Sequence, residues 1–254
     1  MFEADTIDPA PGPPGSGALR VAPGEVHCWC AGLELPPESL IRFHAFLSTE
    51  ERHRSERLRY EADRRHFIAS HGVLREILGR YLEIPPARVG YRYNVFGKPD
   101  LAAEFQSPLR FNLSHSGDLA LIAIAVDSDV GVDVERIQDR SDDIEIVRSA
   151  LTAAEADAWA ALPADRRAEA FAIYWTRKEA CLKAAGVGLA VPLIRVAAAP
   201  NADPGRDPVE LHVPAHGQVP ATTWSVHGLR PAPGFVGSVA FRGGDRRPMQ
   251  HWWR

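Results

Sequence analysis

The stretch that most constrains this chain is Phe171–Leu189, FAIYWTRKEACLKAAGVGL. Read as a helix, it sets Trp175, Glu179 and Lys183 four residues apart along one stripe, with Phe171 one turn further back. An acid and a base one turn apart are ordinarily a solvated pair worth roughly 0.2–0.5 kcal/mol. Large aromatics on the same stripe turn it inward or toward a cleft, where unpaired charge is costly. The fold therefore has to supply a reason for Glu179 and Lys183, and the remaining segments are read for what they bring to that helix.

Composition narrows the options. A net charge of −4 argues against a general nucleic-acid binder. No run of about 18 apolar residues is present, so no membrane span is expected. Hydrophobic content of 45% across 254 residues supports a real core in one large domain or two of roughly 120 residues. The opening MFEADTIDPAPG is acidic and lacks the apolar centre of a secretory signal, so a cytoplasmic protein is expected. Cys28, Cys30 and Cys181 make no disulfide framework; they are expected reduced, with too few neighbouring ligands for zinc.

Along the chain, residues 1–24 are rich in Pro and Gly and are expected to form a flexible arm. Val26–Leu35 alternates as a first strand. Ser48 and Glu51 form a capping box for a short helix, and a longer helix is expected from Asp63 to about Leu82, ended by Pro85 and Pro86. Tyr91–Asp100 is a strand that runs into a Gly97-Lys98-Pro99 turn. Phe111–Val134 is expected to be a meander of three strands around the apolar run LALIAIAV. Thr152 and Glu155 form a second capping box; the Phe171 helix follows and is released at Gly186 and Gly188. Thr222–His227 and Phe235–Phe241 close as a hairpin, and residues 246–254 are expected to be a loose tail. The order of elements is α+β.

Asp133 and Glu135 are two apart in a strand and point the same way, with Val130, Val132 and Val134 opposite. A strand whose polar face simply meets water has the same spacing. Glu179 adds a third carboxylate, and carboxylates without further protein ligands suit Mg²⁺, which keeps waters and takes substrate phosphate oxygens. Lys183 is placed to balance phosphate charge or to pair with Glu179. Ser114, His115 and Ser116 bring hydroxyls and an imidazole to a strand end, where they can donate to phosphate oxygens, but neighbours in one strand face apart, which argues against a hydrolytic triad. Lys98, in a Gly-Lys-Pro turn, is a typical anion contact, although solvated turn lysines are far commoner. The arginines between 52 and 65 are interleaved with acids, and one or two of them suit a terminal phosphate.

Taken in order, Gly97-Lys98-Pro99, Phe111-Asn112-Leu113-Ser114-His115-Ser116, Gly131-Val132-Asp133-Val134-Glu135 and Trp175-Thr176-Arg177-Lys178-Glu179-Ala180-Cys181-Leu182-Lys183 resemble the phosphopantetheinyl transferases of the large single-chain Sfp type. The resemblance implies two similar α/β subdomains (25–128 and 129–245) related by a pseudo-twofold, a cleft between them, and a monomer. It implies Mg²⁺-dependent transfer of the 4'-phosphopantetheine arm of coenzyme A to a serine of an apo acyl or peptidyl carrier protein, releasing adenosine 3',5'-bisphosphate. It implies Asp133, Glu135 and Glu179 as metal ligands, with Glu179 and Lys183 catalytic. Arg54, Arg65, Lys98, Ser114, His115 and Lys183 become the coenzyme A contacts, and a basic residue is more usual where Glu51 stands. A module that binds coenzyme A without turnover, and another Mg²⁺-dependent phosphotransferase, are the competing readings.

Overall fold

The structure, a computed structural model, describes residues 18–138, 144–198, 207–243 and 246–253. Its elements, in chain order, are β1 (Glu25–Gly32), α1 (Pro37–Phe46), α2 (Thr49–Glu56), α3 (Glu61–Leu82), β2 (Tyr91–Tyr93), β3 (Pro99–Leu101), β4 (Leu109–Ser116), β5 (Leu119–Val126) and β6 (Val130–Arg136). They continue with α4 (Ile144–Ala150), α5 (Ala153–Ala160), α6 (Ala164–Ala185), β7 (Ala197–Ala198), β8 (Val209–Val213), β9 (Thr222–Leu229), β10 (Phe235–Phe241) and β11 (Arg247–Trp252).

Two sheets organise these elements, in the orders β11-β1-β5-β4 and β6-β10-β9-β8-β7. The apolar run of β5 explains how they stack. Ile122 and Ile124 join the cluster made with Val73, Leu74, Ile77 and Leu78 of α3. Leu121 and Ala123, on the other face, join Val132, Val134, Val239 and Phe241 of the second sheet. A strand buried on both faces loses its polar alternation, as LALIAIAV has. Beyond the second sheet lies α6, whose Cys181, Leu182 and Ala184 pack with Trp224, Val226 and Ala240. The result is a layered α/β/β/α body.

Each half repeats one device. Ser48 and Glu51 cap α2, Thr152 and Glu155 cap α5, and both boxes are complete. A helix of 22 residues follows each box, α3 in one half and α6 in the other. In each half the box glutamate is also the partner of a buried cation from the long helix. Arg75 reaches Glu51 at 2.7 Å, and Lys178 reaches Glu155 at 2.6 Å. Both cations are 1% exposed and are completed by backbone carbonyls, Val89 for Arg75 and Ala150 for Lys178. A charge so buried requires its partner, so in each half the pair ties the capped short helix to the long helix that follows it.

Three expectations are corrected. The meander ends at β5: β4 and β5 form a hairpin, but β6 leaves it and pairs antiparallel with β10. On the face of β6, the bare Cα of Gly131 lets α6 lie directly on the strand. A Cβ there would stand 2.1 Å from Ala180 O and 2.3 Å from Ala184 N. The tail is not loose: β11 adds to β1 in parallel, from Glu25 opposite Arg247 to Cys30 opposite Trp252. Its aromatic side chains drive this, with His251 stacked on Trp29 at 4.8 Å and Trp253 packed against Phe43 at 5.7 Å. The arm is ordered from residue 18 onward, where Leu19 and Val21 pack on the α3 cluster and Leu19 N–H donates to Arg80 O. Residues 1–17 of that expected arm lie outside the described residues. Cys28, Cys30 and Cys181 are free and buried.

The β11 docking predicts an acid limit to stability. Burial lowers the pKa of His27, and lowers that of His251 from 6.5 to about 4 with His27 adding repulsion; His71, on α3, is also held at about 4 by burial. His251 Nε2 is buried without a hydrogen-bond partner. A group whose folded pKa is depressed and whose charged form is the acid one favours unfolding as protons bind. Stability is therefore full above about pH 6.5 and falls between there and pH 4. Thermal melts across that range check it, and a flat profile would contradict it.

Candidate active site

The site forms where the edge strands of the two sheets meet, and side chains make the seam. Asn112 Oδ1 of β4 accepts the N–H of Val132 at 2.8 Å. Ser114 Oγ donates to Asp133 Oδ1 at 2.7 Å, and Ser116 Oγ donates to Glu135 Oε2 at 2.7 Å. Arg136 N–H returns to Ser116 Oγ at 3.2 Å. Asn112, Ser114 and Ser116 alternate along β4, so one face of that strand serves as a polar edge for β6. His115, between the serines, faces away, as the strand geometry required.

From α6, Lys183 Nζ donates to Asp133 Oδ1 at 2.6 Å and to Ser114 Oγ at 2.9 Å. Glu179, one turn back and half-buried, has its pKa raised, first by desolvation, then by repulsion from Asp133, with Lys183 opposing and Glu135 adding to it. Asp133 is 3% exposed and its Oδ2 is buried with no hydrogen-bond partner. Among the described residues, no three His, Cys, Asp or Glu side chains are grouped closely enough to hold a metal as they stand. Lys183 is the group that neutralises Asp133 here. The open Oδ2 and an all-oxygen set of carboxylates nevertheless fit a hard divalent cation such as Mg²⁺.

Beside this cluster opens a cleft of about 630 Å³, with Arg54, Lys98, Ser114, His115 and Lys183 on its wall. Five of the six sequence-predicted coenzyme A contacts are thus brought together. Arg65 is not on that wall; its guanidinium donates to Leu35 O at 3.4 Å. Arg54 stacks over Phe67, 5.7 Å from the ring centre. Burial lowers the His115 pKa, helped by repulsion from His66 and Lys183. Lys98 is pulled down to about 8 by burial, with Asp129 and Asp100 opposing, and its ammonium donates to Ala184 O at 3.0 Å and Val130 O at 3.2 Å. Glu51 also borders the cleft, but its carboxylate is committed to Arg75 and the capping box.

Sequence reading gave Asn112 no role and took Ser116 only as a phosphate donor; both fasten the seam. Their alternation with Ser114 was a visible signal. It also missed the aromatic wall of Tyr91, Tyr93 and Phe96. The Glu51–Arg75 pair left no signal, since 24 residues separate its members and only the packed structure joins them.

Cations lining a cleft, with a carboxylate cluster at its side, are the parts an enzyme needs to move a phosphoryl-linked group. The comparisons give that class its family. Residues 129–230 match the model of the 4'-phosphopantetheinyl transferase superfamily, and residues 36–127 match that of the 4'-phosphopantetheinyl transferase N-terminal region. The 4'-phosphopantetheinyl transferase HetI of Nostoc is 35% identical over 240 residues, 94% of this chain and 95% of that protein. Sfp of Bacillus subtilis is 27% identical over 160 residues, 63% of this chain and 69% of Sfp. AcpT of Escherichia coli K12 is 37% identical over 94 residues, 37% of this chain and 47% of AcpT. The chain belongs to the 4'-phosphopantetheinyl transferase superfamily and is a transferase. Among the described residues no helix is long and apolar enough to cross a membrane.

Proposed function

We propose that this protein transfers the 4'-phosphopantetheine arm of coenzyme A to a serine of an apo acyl or peptidyl carrier protein, with Mg²⁺ as cofactor. The observation that carries the reading is the cleft that gathers Arg54, Lys98, His115 and Lys183 beside the half-satisfied carboxylate of Asp133.

The division of labour follows from the residues. Arg54 and His115 bind phosphate oxygens of coenzyme A at the cleft wall. Asp133, Glu135 and Glu179 would hold the cation, which when bound would supply Lewis-acid neutralisation of the diphosphate charge. Lys183, on the cleft wall and bonded to Asp133 and Ser114, stands where it steadies charge on the leaving phosphate. The carrier serine oxygen forms its bond to the β-phosphorus, and the bond from that phosphorus to the bridging oxygen breaks. The electron pair leaves with adenosine 3',5'-bisphosphate. Glu179, one helix turn from Lys183 and facing the carboxylates of β6, accepts the serine proton. Ser114 keeps Asp133 and Lys183 in register throughout.

Incubation with coenzyme A, Mg²⁺ and a panel of apo carriers tests the proposal. The expected result is a carrier heavier by one phosphopantetheine arm, with adenosine 3',5'-bisphosphate released. Coenzyme A binding by calorimetry with no mass shift on any carrier would leave a binding module in its place.

A further inference from the structure

The turn between β2 and β3 belongs to the N-terminal half, yet its polar groups end on the last turn of α6. Asn94 Oδ1 accepts the N–H groups of Phe96 and Lys98, each at 2.9 Å, which fixes the turn locally. Its Nδ2 donates to Gly186 O at 2.8 Å. Two donors on one side and one carbonyl on the other fix the amide's orientation. Lys98, at the other end of the turn, donates to Ala184 O and Val130 O.

The last carbonyls of a helix have no partner within it. Here two carbonyls at the end of α6 are satisfied from residues about 90 positions earlier in the chain. Packing is close as well: a Cβ on Gly186 would meet Asn94 Nδ2 at 2.9 Å and Lys98 Cδ at 3.2 Å. Lys183 lies one residue before Ala184, and Val130 opens the strand that carries Asp133. The turn therefore ties together the two elements whose side chains meet at the 2.6 Å contact between Lys183 and Asp133.

We infer that Asn94 is a positioning residue of the transfer reaction, acting with Lys98 to hold the C-terminal turn of α6 so that Lys183 stands at Asp133 and the cleft. The inference rests on the transfer reading above. Its action is through Lys183, which works on the leaving phosphate, so its loss falls on kcat. Binding of coenzyme A, gripped by Arg54 and His115, is retained.

Asn94→Asp separates the two roles of the side chain, because it keeps the acceptor that shapes the turn and loses the donor to Gly186. Three measurements are made on the full chain: melting temperature, hydrogen exchange by mass spectrometry over 182–190, and steady-state kinetics with a carrier that the wild type modifies. The expected result is faster exchange confined to 182–190, a melting temperature within about 3 °C of wild type, a kcat lower by about 10–100-fold and a coenzyme A KM within about threefold. Lys98→Met, which keeps most of the stem, should give the same faster exchange over 182–190 and fall in kcat, with a rise in coenzyme A KM besides, since Lys98 also stands on the cleft wall. The double variant should lose less than the product of the single losses, since both act through one helix turn.

Unchanged exchange with unchanged kcat overturns the inference. So does faster exchange throughout the molecule with a matching fall in melting temperature, which marks a residue that serves the fold alone. A rise in KM at constant kcat overturns it too, by making Asn94 a wall of the binding cleft. A wild type that modifies no carrier defeats the proposed function, and exchange over 182–190 then decides the tie by itself.

Discussion

Asp133→Ala lowers the transfer rate at saturating coenzyme A by at least about 10³-fold, roughly 4 kcal/mol of barrier, with the fold retained. Asp133 is the point on which the site converges. Its Oδ1 receives Ser114 and Lys183, and its buried Oδ2 has no partner within the protein. Removing the carboxylate takes away a cation ligand and the counter-charge that holds Lys183 at the same time. Structural loss is small, because the Lys183 side chain is 27% exposed and rehydrates. Removing Asp133 also takes away a charge that repels Glu179. The melting temperature therefore stays near that of wild type or rises. Turnover measured over a Mg²⁺ titration checks the prediction: if these carboxylates are only a polar strand face, activity stays within about threefold at every Mg²⁺ concentration.

Gly131→Ala destabilises the protein by about 3 kcal/mol or more, through overpacking against atoms that cannot turn aside. The new methyl would stand 2.1 Å from Ala180 O, 2.3 Å from Ala184 N and 2.9 Å from Ala184 Cα, all backbone of α6. Relief requires α6 to lift from β6, and that movement carries Glu179 and Lys183 away from Asp133. For a chain of this size the melting temperature falls by roughly 6–12 °C. Activity falls further than the remaining folded fraction explains. A calorimetric melt paired with kcat at a temperature well below the transition separates the two effects. A variant that melts within about 2 °C of wild type would show that the two elements do not meet this closely.

These variants act at the one place where local sequence and long-range packing both count. Much of the chain was legible locally. Both capping boxes, the glycine release of α6 and the closing hairpin rest on short-range chemistry: a hydroxyl three residues from an N–H, a φ of +70° at Gly186, and alternation along β9 and β10. The Glu179–Lys183 stripe was legible for the same reason, since a helix puts residues four apart on one face whatever surrounds it. The order of motifs identified the family.

Tertiary structure decided what those local pieces face. The spacing of Asp133 and Glu135 fixed that their carboxylates point together, but not that Ser114 and Ser116 from another sheet would meet them. Likewise β6 had the look of a third meander strand, because hydrophobic alternation reports burial and not the identity of the partner strand. The structure pairs β6 with β10 instead, while Gly131 lets α6 close on its face. The C-terminal segment, polar and basic by composition, becomes strand β11 because β1 leaves an edge open and Trp29 and Phe43 offer faces for His251 and Trp253. Arg75 and Lys178 are each one charge among many along the chain; a glutamate 24 or 23 residues away makes them buried and fixed. Sequence determines which groups each element presents. Which groups meet depends on contacts between residues far apart in the chain, and those form only when the two sheets and their helices pack together.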